Sequence, residues 1–115
     1  NRKATTHDAI ADNGAGGGFV FGSGIADWQN LDFETMPIAA RIDGSALIQT
    51  YSGEMRRDPV DIFVETVNDP SGRGITLEAG HYISTGSLTL PTPFHRGQEL
   101  VARFGDFEPL HLRLT

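Results

Sequence analysis

Alternating apolar and polar positions are clearest at the end of the chain. Leu110, Leu112 and Leu114 are separated by single polar residues, and residues 99–104 alternate in a similar way. A period of two places every second side chain on the same face of an extended backbone. Residues 99–104 and 109–114 are therefore predicted to form half-buried antiparallel strands.

A helix is predicted over about residues 58–69. Asp58 is a residue type that caps helix N-termini, and Pro59 suits the first helical position because an N–H there would have no intrahelical acceptor. Apolar residues then recur at the spacing of one helix face, namely Val60, Phe63, Val64 and Val67. A helix with one apolar stripe is expected to bury that stripe against a sheet.

Two more strand signals lie before the helix. Residues 36–42 and 46–51 flank Asp43-Gly44, and two β-rich runs around Asp-Gly favour a hairpin. Residues 19–21 form a short apolar run bounded by glycine, which predicts a buried strand.

These elements indicate a mostly β protein of the α+β class. About six strands and one main amphipathic helix predict a mixed β-roll or barrel-like sheet. The length of 115 residues suits a single domain over 1–115. Trp28 and Phe33 stand in an acidic loop, where we expect them either to cover the edge of the core or to form an oligomer contact.

Composition changes the picture mainly by excluding partners. The formal net charge is −6, and without a basic patch a nucleic-acid partner is not expected. No run approaches the roughly 18 apolar residues of a membrane span. The chain has no cysteine, which excludes disulfides and fits a cytoplasmic location. Its four histidines lack the spacing of a metal site.

The candidate binding region is the stretch 77–93, which is rich in small hydroxyl residues. A turn composition leads into residues 81–85, which are β-branched and aromatic enough to predict a strand. Gly86 then permits a positive φ or the close approach of a ligand, and Ser87 and Thr89 offer hydroxyl groups. A polar turn whose hydroxyls bond to their own backbone explains the same composition.

Three short pieces occur in order: DAIADN at 8–13, GFVFGS at 18–23, and LEAG at 77–80 with TGSLT at 85–89 and two prolines after it. They resemble the C-terminal part of the 2-keto-4-pentenoate hydratase / 4-oxalocrotonate decarboxylase group of the fumarylacetoacetate hydrolase superfamily. The resemblance extends over most of the chain and implies a β-rich roll with an embedded helix. It also implies that a small 2-oxo acid is bound by Asn13, Gly86, Ser87 and Thr89. For Asn13, an Asx turn beside the glycines is the alternative.

Enzymes of this group are similar in using Mg²⁺ or Mn²⁺, held by a Glu-x-Glu pair and a further carboxylate. By the resemblance these carboxylates would precede Asn1, and the chain contains no Glu-x-Glu. We therefore expect no catalytic residue, metal ligand or cofactor in this chain. Gly14-Ala15 also stands where the group has Ala-Ser, and the charged residues 54–58 replace a small, apolar, glycine-rich stretch.

Three functions remain open. In the first, the chain is a truncated part of a metal-dependent 2-hydroxydienoate hydratase or 2-oxo acid decarboxylase and is inactive alone. Alternatively it is a binding module for a 2-oxo acid, or a structural homo-oligomer without catalysis. Self-association is expected in any case, because part of a β-rich fold exposes strand edges and apolar surface.

Overall fold

The computed structural model describes residues 17–45, 47–69 and 76–115. Two short 3₁₀ helices lie in these ranges, at Trp28–Asn30 and Gly53–Met55. The longer elements are, in chain order, strand β1 (Ile38–Ile42), helix α1 (Pro59–Val67), strand β2 (Glu99–Phe104) and strand β3 (Leu110–Arg113). One helix and three strands fit the predicted mostly β or α+β class.

The three strands form one antiparallel sheet in which β2 lies between β1 and β3. Ile42 pairs with Leu100, and Leu100 pairs in turn with Leu112. Both strands predicted near the C-terminus are confirmed by β2 and β3. Strand β1 lies within the predicted segment 36–42.

This register sorts the side chains of the sheet into an apolar face and a polar face. Residues directly opposite each other in paired strands share a face, so the apolar face includes Ala40, Ile42, Leu100, Ala102, Leu110 and Leu112. Ala40 and Ile42 are 5% and 8% exposed and are the fully buried apolar residues of the described ranges. Antiparallel sheets covered on one face alternate in this way.

The turn predicted at Asp43-Gly44 is confirmed. Asp43 and Gly44 both have positive φ, 50° and 67°, as a tight hairpin turn of the primed type requires. The second arm is shorter than predicted, since it is joined to β1 by an isolated bridge between Arg41 and Leu47 and by the Ile48 N–H donating to the Ala40 carbonyl.

Residues 49–51 leave β1 and pair with residues 88–90 instead. Thr50 and Thr89 form an antiparallel bridge, the Tyr51 N–H donates to the Leu88 carbonyl, and the Leu90 N–H donates to the Gln49 carbonyl, each at 2.9 Å. This pairing anchors the C-terminal half of the TGSLT motif.

Helix α1 begins where the sequence predicts. The Asp58 carboxylate accepts a hydrogen bond of 2.7 Å from the Val60 N–H, and Pro59 is the first helical residue. The predicted burial of the apolar stripe is wrong, because Phe63, Val64 and Val67 are 47%, 48% and 50% exposed. Ile62, outside that stripe, is half-buried. The helix is apolar on more than one side, so periodicity alone did not identify the side that faces the protein.

The buried strand predicted at 19–21 is also wrong. These residues have no regular secondary structure, and Phe19 and Phe21 are 64% and 63% exposed. The Phe21 ring stacks on Tyr82 with centroids 4.9 Å apart. An apolar run forms a strand only where a neighbouring strand accepts its backbone hydrogen bonds, and none of the described strands pairs with this one.

The strand predicted at 81–85 is absent for the same reason. The turn before it is confirmed, since the His81 N–H donates to the Glu78 carbonyl at 3.1 Å and Gly80 has a φ of 94°. Residues 81–87 then follow an irregular path. No neighbouring strand accepts the hydrogen bonds of this segment within the described ranges.

The acidic loop before β1 is only partly covered. Trp28 is 44% exposed, whereas Leu31 and Phe33 are half-buried. In the part of the chain that the structure describes, the longest helix is far too short to cross a membrane.

Candidate functional site

A cavity of about 410 Å³ lies between helix α1, the loop before β1 and the TGSLT motif. Its polar rim consists of Arg56, Arg57, Thr85, Gly86 and Ser87. The rest of the lining is apolar and comprises Ile25, Leu31, Phe33, Met36, Ile38, Met55, Pro59, Ile62, Leu88, Phe104 and Phe107. An apolar cleft with a few convergent polar groups is the usual form of a small-molecule site.

Gly86 lines the cavity, and its backbone conformation is one that favours glycine. Its φ is 111°, a conformation that residues with a Cβ rarely adopt. A Cβ at this position would meet no atom within 4 Å. Glycine is therefore required here for the backbone path and not for space.

Ser87 follows Gly86 and is exposed. Its hydroxyl makes no hydrogen bond to any described residue, so it is available to a ligand. The backbone just beyond it is fixed by the bond between Leu88 and Tyr51. The TGSLT motif thus presents the unpaired Ser87 hydroxyl next to an anchored segment.

A second cavity of about 620 Å³ lies over the apolar face of the sheet. Gly86, Ser87 and Leu88 line both cavities, as do Ile38 and Phe104. Residues 86–88 therefore form a wall shared by the two cavities, which we call the shared wall.

Three of the four predicted substrate-binding residues lie in the described part of the chain. Gly86 and Ser87 line both cavities, whereas Thr89 lines the sheet cavity only. Asn13 lies outside the described residues. Their role in binding stays a prediction.

Arg56 is the site residue that sequence reasoning missed. Its Nη2 donates to the carbonyls of Phe33 and Met36, both at 2.6 Å. Its Nε is buried without a hydrogen-bond partner among the described residues. A buried N–H without an acceptor is costly, so this guanidinium is an incompletely satisfied cation at the cavity. The available signal was the charge in 54–58, where the resemblance implies a small apolar stretch.

Asp32 holds the turn that supplies the two acceptors of Arg56. Its carboxylate accepts hydrogen bonds from the backbone N–H groups of Glu34 and Thr35, at 3.1 and 3.0 Å, and from the Thr35 hydroxyl at 2.6 Å. The Thr35 hydroxyl, followed by the backbone N–H groups and the nearby Arg56 charge, lowers the pKa of Asp32. Asp32 therefore positions the carbonyls of Phe33 and Met36 from outside the cavity.

Arg57 differs from Arg56 in having a charge partner. Its guanidinium donates to the Glu65 carboxylate on the exposed side of α1, and this hydrogen bond lowers the pKa of Glu65. Arg56 forms no ion pair with a described residue. The cavity thus has two cationic residues, of which Arg57 is already paired.

The metal that the resemblance implies does not fit the residues described here. Hard divalent cations need a cluster of oxygen ligands, and residues 17–45, 47–69 and 76–115 contain no group of three acidic, histidine or cysteine side chains that could hold one. No chemical step at this site is therefore derived through a metal.

The geometry thus defines an α+β fold with an apolar cavity beside Gly86 and Ser87. The chain is similar to a 4-oxalocrotonate decarboxylase from Pseudomonas sp. (strain CF600), with 24% identity over 104 residues. That alignment covers 90% of this chain and 39% of the relative, so the chain spans well under half of the relative's length. No family model matches the sequence. No solved structure matches it either.

Proposed function

We propose that the chain forms one wall of the substrate pocket in a protein related to 4-oxalocrotonate decarboxylases and 2-hydroxydienoate hydratases. A small 2-oxo acid binds at Gly86 and Ser87, with Thr89 contributing from the adjoining sheet cavity that those two residues also line. The three-stranded sheet is part of a larger β-roll. The observation that carries this proposal is the cavity at Gly86 and Ser87, with Arg56 on its rim. The sequence similarity supports it.

By this proposal the chain alone has no hydratase or decarboxylase activity. The Mg²⁺ or Mn²⁺ of the wider group would need ligands from outside the described residues. We expect purified protein with either metal to leave a 2-hydroxydienoate unchanged. Chelator-sensitive turnover above a metal-only blank would contradict this.

Binding is tested by NMR titration with pyruvate and oxalate. We expect shifts at residues 84–89 and dissociation constants on the order of 1 mM, which corresponds to about −4 kcal/mol. Ser87→Ala removes one donor and is expected to weaken binding by about 1 kcal/mol. Ser52→Ala is the matched control, because Ser52 is exposed, lines neither cavity and makes no capping hydrogen bond. Shifts elsewhere with none at 84–89 would refute the pocket.

A second candidate function is a structural homo-oligomer. Phe63, Val64 and Val67 on α1 are about half exposed. This exposed apolar face favours a surface that another polypeptide covers.

Sedimentation tests the second candidate. The homo-oligomer predicts a species heavier than 12.4 kDa at micromolar concentration, and Phe63→Ser should shift it towards the monomer. A compact monomer in both proteins would exclude the second candidate and leave the first untouched.

A further inference from the structure

The cavity beside Gly86 has a strongly uneven distribution of charge and apolar surface. Its cationic groups, Arg56 and Arg57, lie next to each other in the chain. The remaining lining contains no further charged residue. A ligand therefore meets positive charge at one place only.

The donors of Arg56 are only partly used. A guanidinium has five N–H donors, and Nη2 supplies the hydrogen bonds to Phe33 and Met36. Nη1 makes no hydrogen bond within the described residues and is the donor left for a ligand, whereas Nε is buried out of a ligand's reach. One carboxylate of a ligand is the group that best completes such a cation.

A second carboxylate would find no comparable partner. Arg57 is already engaged by Glu65, and apart from the two arginines the cavity is lined by uncharged and mostly apolar residues. Transferring a carboxylate from water to apolar surroundings without a partner is strongly unfavourable. An alkyl chain at the same place gains from leaving water.

We infer that this cavity selects a 2-oxo monocarboxylic acid with an apolar tail over a 2-oxo dicarboxylic acid of the same length. The inference rests on the proposed function, since it specifies the substrate class of the same site. By this inference Arg56 determines specificity for the carboxylate, and the apolar tail of the ligand contacts the apolar lining of the cavity.

The ligands 2-oxohexanoate and 2-oxoadipate test this inference directly, because they have six carbons each and differ only in a terminal methyl or carboxylate group. In an NMR titration of the full chain, 2-oxohexanoate is expected to bind roughly 10-fold more tightly than 2-oxoadipate and than pyruvate. Equal affinities, or tighter binding of 2-oxoadipate, with shifts at 84–89 would overturn the inference and leave the proposed function standing. No shift at 84–89 with any 2-oxo acid would overturn both.

A variant can reverse the preference without disturbing the core. Ile25 lines the cavity and is 40% exposed, so Ile25→Lys adds a cation near the tail at little cost to folding. It should bring the affinity for 2-oxoadipate up to or above that for 2-oxohexanoate. Leu47→Lys is the matched control, because Leu47 is 55% exposed and lines neither cavity. An unchanged preference in folded Ile25→Lys would contradict the assignment of the tail.

The carboxylate is tested separately with 1-hexanol, which has an alkyl chain and no charge. We expect it to bind roughly 10-fold more weakly than 2-oxohexanoate, because it cannot pair with Arg56. Equal binding of 1-hexanol would show that the cavity recognises an alkyl chain alone, and would overturn the role of Arg56.

Discussion

The apolar residues of the sheet and those of the helix differ in how far they are buried. On the sheet, Ala40 and Ile42 are buried by the register of paired strands. On the helix, Phe63 and Val64 are about half exposed. The same kind of residue is thus part of a core in one region and part of a surface in the other.

Polar contacts organise the helix side instead. Arg56 joins the start of the helix to the loop before β1 through two carbonyls, and Asp58 caps the helix. Net hydrogen bonds contribute about 1 kcal/mol each, whereas burying one large apolar side chain contributes about 2 kcal/mol. We therefore expect the sheet to determine global stability and the helix side to open first.

The largest expected effect tests burial on the sheet. Ala40→Asp places a carboxylate on the buried apolar face and should destabilise the protein by about 3 kcal/mol or more. Ala39→Asp is the matched control, because Ala39 is the adjacent residue on the opposite face, where it pairs with Arg103. Urea denaturation followed by circular dichroism measures both. Similar losses in the two variants would contradict the assignment of faces.

A second comparison concerns the two sides of helix α1. Ile62 lines the cavity and is half-buried, so Ile62→Ala should lower the free energy of unfolding by about 1–2 kcal/mol. Phe63→Ala should cost clearly less in the monomer, despite removing a larger side chain. The measurement is again urea denaturation, at a concentration where the protein is monomeric. A larger loss for Phe63→Ala would mean that the predicted stripe is the buried one.

The helix cap is expected to have a smaller and more local effect. Asp58→Ala removes the acceptor of the Val60 N–H and should weaken the helix by about 1 kcal/mol. Asp61→Ala, in the same first turn, removes a carboxylate that makes no capping bond. Amide hydrogen exchange should show faster opening of α1 in Asp58→Ala, with β2 unchanged. Equal exchange rates in both variants would argue against the cap.

The smallest effect concerns pH at the turn beside Arg56. The Thr35 hydroxyl lowers the pKa of Asp32 in the folded protein below the ordinary value of 3.8. A lowered folded pKa means that the stabilisation is fully present above pH 3.8 and is lost as the pH falls through the lower value. The stability advantage of wild type over Asp32→Asn should therefore shrink below pH 3.8. In Thr35→Val, carboxyl NMR should show the pKa of Asp32 moving up, and an unchanged value would remove Thr35 as the cause.

Elements with a local signal were predictable from the sequence. Asp58-Pro59 indicated the start of the helix, and Asp43-Gly44 indicated the turn, because each depends on a few adjacent residues. The alternation of leucines from Leu110 indicated β3. The pairing of 49–51 with 88–90 was not predictable, since it joins segments about 40 residues apart and neither has a partner signal.

Part of the site was predictable, because that part also depends on a few adjacent residues. Gly86 was expected at a position of positive φ, and the structure agrees. Arg56 was missed because its acceptors are the backbone carbonyls of Phe33 and Met36, which have no residue signature. The apolar run 19–21 was overvalued, because hydrophobicity alone does not provide a strand to pair with.

The shared wall at 86–88 makes the shape of one cavity depend on the shape of the other. Its residues face both the cavity beside Arg56 and the cavity over the sheet. A larger residue at Ala102, which lines the sheet cavity, takes up space behind this wall and so limits how far the wall can yield to a ligand on its other side. We therefore expect related sequences to change ligand preference through sheet residues that no ligand touches. Two relatives with identical ligand-contacting residues would then still differ in substrate.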